Sequence, residues 1–177
     1  WINHGMLSIE DIAKIKAPIV WSLHDNWAFT GGCHIKWECE KYKKNCGSCP
    51  RLGSLKTNDL SRKVWTRKKN IYAKLDNLTV VGLSNWINEC SKESSLLANK
   101  KHVNLPNPIN TGVFKAFNKT QARELWTLPQ NKKLILFGAL SATSDSNKGF
   151  KELTEAFTNM KLNDVEFVVF GASEPKK

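Results

Sequence analysis

The chain has 177 residues, 41% of them apolar, and its 27 Lys and Arg against 16 Asp and Glu give a net charge of +11. That is enough apolar mass for one ordinary globular domain or two small ones. No apolar run approaches the ~20 residues of a membrane span, and the opening WINHGMLSIED lacks the basic and apolar regions of a secretory signal.

A helix is predicted over 8–15, where Ser8 and Asp11 supply acceptors for first-turn amides. A buried strand follows over 18–23, with His24 and Asp25 at its carboxyl end. In open parallel sheets ligands bind beyond the strand carboxyl ends, so this pair is a candidate catalytic site; a surface pair without a role is the alternative. Thr30, Gly31 and Gly32 add a donor-rich turn suited to a phosphate or a sugar hydroxyl.

Cys33, Cys39, Cys46 and Cys49 then form a cysteine-rich loop insertion with the spacing C-x5-C-x6-C-x2-C. Its last pair, CGSC, fits a zinc knuckle. A closed four-sulfur site would be structural, a clip for a loop with no hydrophobic mass of its own. Plain thiols and disulfides remain open, although disulfides would leave Cys90 unpaired. His34 could replace one sulfur. Across this loop and the next helix the basic excess is concentrated: between Lys36 and Lys74 there are twelve bases and three acids, a net +9. Such a field is either a solvated face or an attractor of phosphate, nucleic acid or an acidic lipid leaflet.

Beyond Asp59 the pattern predicts a helix over 60–75, a strand over 78–83, a helix over 85–97 and a strand over 102–105. The stretch LPNPINTGVF, residues 105–114, cannot continue regular structure cleanly. It places a linker at 108–114 between a first domain over 1–107 and a second over 115–177. The second opens with helix 120–125, strand 133–140, helix 147–160 and strand 165–170. Phe150, Leu153, Ala156, Phe157 and Met160 recur at three- and four-residue spacing, a core stripe. Strands apolar on both faces and alternating with helices predict an α/β fold with parallel sheets. Gly138 ends its strand and Lys148-Gly149 opens the next helix, a basic start that could cradle a diphosphate; a solvated lysine is the alternative. The Walker spacing is absent. Each half is shorter than the ~150 residues of a complete domain of this kind, so the chain reads as an internal piece of a longer protein.

Taken in order, WSLHDNWAFTGGCH, CGSCP, DLSRKVW, GLSNWI, LPNPIN, LFGA and NKGF resemble the family four, B-type glycosyltransferases. The resemblance is strongest to the bacterial branch that builds exopolysaccharide, colanic-acid-like and lipopolysaccharide sugars. It runs over about 1–171, and 21–50 is its most specific part. It implies parts of two Rossmann-like domains, the first holding the acceptor and the second a nucleotide-diphosphate sugar. It further implies retaining transfer to a lipid-linked or saccharide acceptor, with no catalytic metal. By motif position His24 would face the transferred sugar, with Asp25 orienting it, and Gly31 and Gly32 would form an adjoining turn. Gly138, Lys148 and Gly149 would serve the donor phosphates. The implied setting is cytoplasmic, at the inner face of the plasma membrane, with the +9 stretch touching anionic lipid and no nucleic acid bound. Two features depart from the family. Ala139 and Leu140 stand where many relatives carry an arginine, and the paired glutamates would lie beyond Lys177. The chain by itself would then lack part of the donor site. The rival reading is a basic zinc-knuckle module for nucleic acid, against which stand the irregular tryptophan spacing and the large α/β core. A non-catalytic sugar-binding relative is the third.

Overall fold

The computed structural model describes Ile2, residues 6–160 and residues 164–171. The chain divides into two compact units, Trp1–Ile109 and Asn110–Lys177, and both are α/β with parallel strands.

In the first unit β1 (Ile19–Leu23), β2 (Leu78–Gly82) and β3 (Lys101–Asn104) form a parallel sheet in that order. Ile19 lies opposite Leu78, Leu23 opposite Gly82, and Gly82 opposite Asn104. The register brings the carboxyl ends of all three strands to one edge. Parallel neighbours need long crossovers, and α2 (Leu60–Tyr72) and α3 (Asn85–Glu93) supply their helices. Each start is fixed by a side-chain acceptor. Asp59 accepts from the Arg62 amide at 3.0 Å and Ser84 from the Ile87 amide at 3.4 Å, while Ser8 and Asp11 cap each other across the first turn of α1 (Ile9–Ile12).

Only β2 meets the expectation of strands apolar on both faces, with Leu78, Val80 and Val81 buried. β3 is exposed except at His102, which is half-buried, and Val103 is its one apolar side chain. Among the described residues it pairs on one side only, so Lys101 and Asn104 stay in water. The long loop between β1 and α2 carries three 3-10 turns, Trp27–Phe29, Lys41–Lys43 and Pro50–Leu52. Contrary to the expectation of a loop without apolar mass, Ala28, Phe29 and Tyr42 are buried in the core beside Ile9, Trp65 and Tyr72. The Phe29 and Tyr42 rings meet with centroids 5.5 Å apart, so aromatic packing anchors the loop.

In the second unit β4 (Lys133–Gly138) and β5 (Val165–Phe170) pair in parallel, Lys133 opposite Val165 and Gly138 opposite Phe170. Asn118 caps α4 (Lys119–Leu125) by accepting from the Gln121 amide at 3.1 Å. Phe150 and Phe157, on α5 (Phe150–Met160), both pack on Phe167 of β5, with centroids 6.0 and 5.0 Å away. The stripe expected as core is used only in part: Phe150, Leu153 and Phe157 are half-buried, while Ala156 and Met160 are exposed.

Candidate functional site

Where β1 ends, Leu23 is buried and the next residue, His24, is exposed. Asp25 turns away from it. One carboxylate oxygen accepts the Trp27 amide at 2.8 Å, starting the first 3-10 turn, and the other meets Nδ1 of His34 at 2.8 Å. Asn26, buried, completes the tie: its amide donates to the His34 carbonyl, and its side-chain oxygen accepts the Lys36 amide at 2.9 Å. The strand-end pair is thus separated, with His24 facing water and Asp25 holding both ends of the turn together.

The turn itself is held from outside. The carbonyls of Trp27, Ala28, Phe29 and Thr30 each accept a side-chain donor: Lys68 Nζ to Trp27 and, at 3.1 Å, to Thr30, Tyr72 to Ala28 at 3.0 Å, and Ser94 to Phe29 at 2.7 Å. A loop this deep needs such partners, because an unpaired buried carbonyl costs about 1–3 kcal/mol. Lys68 is fully buried, with its ammonium 3.6 Å from the centroid of the Trp27 ring. Burial pushes its pKa down from 10.5 to about 7, against the pull of Cys33, Cys46 and Asp25. Sequence reasoning missed all three donors. The available signal was a lysine on the stripe Ser61, Trp65, Lys68, Tyr72, which is the buried face of α2.

Gly31 and Gly32 also serve the loop. The Gly31 amide donates to Cys46 Sγ at 3.1 Å, and the Gly32 amide to the Thr30 hydroxyl at 3.2 Å. A Cβ on Gly31 would lie 2.5 Å from the Ser61 carbonyl and 2.7 Å from Cys46 Cβ, so only glycine lets the loop approach α2. Behind the turn is a cavity of about 530 Å³ reached by Cys33, Cys39, Cys46 and Cys49. Cys46 is buried, and burial lifts its thiol to about 11. The knuckle backbone runs through positive φ, +133° at Gly47, which glycine adopts freely, and +44° at Ser48, an uncommon conformation for a residue with a side chain. Even so, among the described residues no three His, Cys, Asp or Glu side chains are grouped to hold a metal ion. The four thiols line one cavity. Neither His24 nor Asp25 lines it; His34 does.

In the second unit Gly138 is required by packing, since a Cβ there would fall 1.9 Å from the Phe170 ring. The loop after it folds back, the Ala142 amide donating to the Gly171 carbonyl at 3.2 Å. Asp145 accepts the Asn147 amide at 2.9 Å, and this bond and a second from the Asn147 side chain lower the Asp145 pKa. That turn presents Lys148, exposed, at the end of the 3-10 segment Ser146–Lys148. Gly149, at φ +76°, makes the left-handed step that lets α5 begin. A cation and a helix start therefore stand together beyond β4, an arrangement able to receive an anion.

The parallel α/β architecture is compatible with Rossmann-like halves. No family model matches the chain, and no solved structure matches it. Over 41 residues, 23% of its length, it is 44% identical to WcaC of Escherichia coli (strain K12), which carries the provisional name of a colanic acid biosynthesis glycosyl transferase. The match spans about a tenth of that relative, 10% of its length, and supports a relationship to glycosyltransferases at that coarse level.

Proposed function

We propose that the protein carrying this chain is a retaining glycosyltransferase. It would move a sugar from a nucleotide-diphosphate donor to a lipid-linked or saccharide acceptor in the building of cell-surface polysaccharide. The observation that carries this reading is the 44% identity to WcaC over 41 residues. Two placements support it. His24 is exposed just past β1, where its imidazole can hydrogen-bond a hydroxyl of the acceptor or the transferred sugar. Lys148 is exposed beside the start of α5. As the glycosidic carbon parts from the diphosphate, negative charge grows on the leaving oxygen, and a preplaced ammonium stabilises that state more than the ground state. Asp25, committed to the Trp27 amide and His34, acts by keeping the turn in shape and not by orienting His24.

The test uses the full-length protein, comparing wild type with Lys148→Ala and His24→Ala for nucleoside-diphosphate binding and sugar transfer. Lys148→Ala should weaken nucleoside-diphosphate binding and slow transfer about 100-fold, the usual effect of losing one charge-stabilising donor. His24→Ala should slow transfer and leave donor binding intact. Equal binding and turnover in Lys148→Ala, or no transfer from any nucleotide sugar by wild type, would overturn the reading.

A further inference from the structure

The cysteine-rich loop places bulky apolar side chains in water. Leu55 is 94% exposed, Leu60 62%, Trp37 51% and Leu52 49%. Trp37 has φ +48°, an unfavourable conformation for a bulky residue. It is nevertheless held there: the buried Lys36 side chain donates to the Trp37 carbonyl at 3.2 Å and pairs with Glu40 at 3.0 Å. The local structure thus keeps an indole outward instead of folding it into the core.

Positive charge and backbone ties connect the segments that carry these side chains. The Arg51 guanidinium lies 5.9 Å from the Trp37 ring centroid, and Arg51, Leu52 and Leu60 share the rim of one cavity. Ser48 joins the remaining part, its amide donating to the Lys56 carbonyl at 2.9 Å and its hydroxyl to the Leu55 carbonyl at 3.2 Å. Lys44, Arg51 and Lys56 are exposed, and none makes an ion pair among those found in the described residues. They belong to the stretch of net +9.

We infer that this loop docks the protein onto an anionic lipid surface, with Trp37, Leu52 and Leu55 entering the headgroup region and Lys44, Arg51 and Lys56 meeting lipid phosphates. Two parts of the chemistry select a bilayer over a nucleic acid. Aliphatic side chains such as Leu55 gain by leaving water but offer no stacking platform for bases. A Trp flanked by Lys and Arg with long apolar stems matches the amphipathic interface of a membrane. The surface is independent of the transferase reading, because lipid binding can be measured without any sugar.

The experiment is co-sedimentation of the full chain with phosphatidylcholine vesicles, with and without phosphatidylglycerol. Binding is expected to the anionic vesicles at low salt and to fade as salt screens the charges. The triple variant Lys44→Gln, Arg51→Gln, Lys56→Gln should bind about 100-fold more weakly, since each base near an anionic surface contributes about a factor of several. Leu55→Ser should cost about tenfold by removing apolar insertion; that side chain is outside the core, so circular dichroism should be unchanged. No binding to anionic vesicles at low salt would overturn the inference. So would equal binding to neutral vesicles, or indifference to both variants. Salt-resistant binding of random oligonucleotides without vesicle binding would assign the surface to nucleic acid instead.

Discussion

Lys68 occupies a position where a charge is costly, and its retention there is tied to the turn above it. The side chain satisfies the Trp27 and Thr30 carbonyls, yet burial lowers its pKa from 10.5 to about 7. Between those two values the unfolded chain binds the extra proton, so folding stability rises with pH across that window and carries its full cost below about 7. Cys46 acts in the opposite sense further up: its thiol is raised from 9.0 to about 11 by burial, so its contribution is lost as pH climbs through that range. Comparing wild type with Lys68→Met isolates the lysine. The variant leaves two buried carbonyls unpaired and should be about 2 kcal/mol less stable at pH 9. At pH 6 the gap should narrow, because wild type there bears the cost of the buried cation. Urea unfolding at the two pH values measures it, and a gap that is constant or widens toward acid would show that the ammonium is not buried as described.

Between elements, one close junction is where β2 hands over to α3. Gly82 ends the strand opposite Leu23 and Asn104, and Ser84 caps the helix two residues later. A Cβ on Gly82 would fall 2.4 Å from Asn88 Cβ and 2.6 Å from Asn88 Cα, neither of which is the yielding end of a flexible side chain. Gly82→Ala must therefore move the helix or the strand, and it should destabilise the first unit by about 3 kcal/mol, the range for overpacking in a filled core. An unchanged urea midpoint would refute the close approach. This junction also shows what the sequence makes legible. The apolar, β-branched runs at 78–83 and 165–170 predict β2 and β5 because such a run is a local pattern, although only β2 is buried on both faces. Helix ends are less local: the pattern runs to 97, but α3 stops at Glu93, where Ser94 turns extended and gives its hydroxyl to the Phe29 carbonyl. That partner is far away in sequence, as are the partners of Lys68 and Tyr72. His24 was readable from its place after an apolar run, whereas the engagement of Asp25 with His34 required the loop to close on itself. The cysteine spacing suggested a metal clip; the loop's burial of Phe29 and Tyr42 was hidden because isolated aromatics in a polar segment carry no period.

At the scale of the whole molecule the two units differ in how much apolar surface each removes from water. Every core residue of the main buried cluster lies in the first unit, between Ile9 and Leu97. In the second unit the described strands form a two-stranded sheet, with Leu136 66% and Phe170 57% exposed, and its packing rests largely on Phe137, Phe150, Phe157 and Phe167. A sheet of two strands gains little from burial and is marginal in water, so local opening should be cheaper there than in β2, where Val80 is fully buried. Hydrogen exchange on the chain should therefore release the amides of Ile135 and Phe167 well before those of Val80 and Val81. Dilute protease should act in the same order, cutting first beyond Asn110 and leaving a resistant piece that ends near Ile109. Exchange of β2 as fast as β4, or a first cut inside the sheet of β1, β2 and β3, would mean that the unequal burial does not set the order of opening.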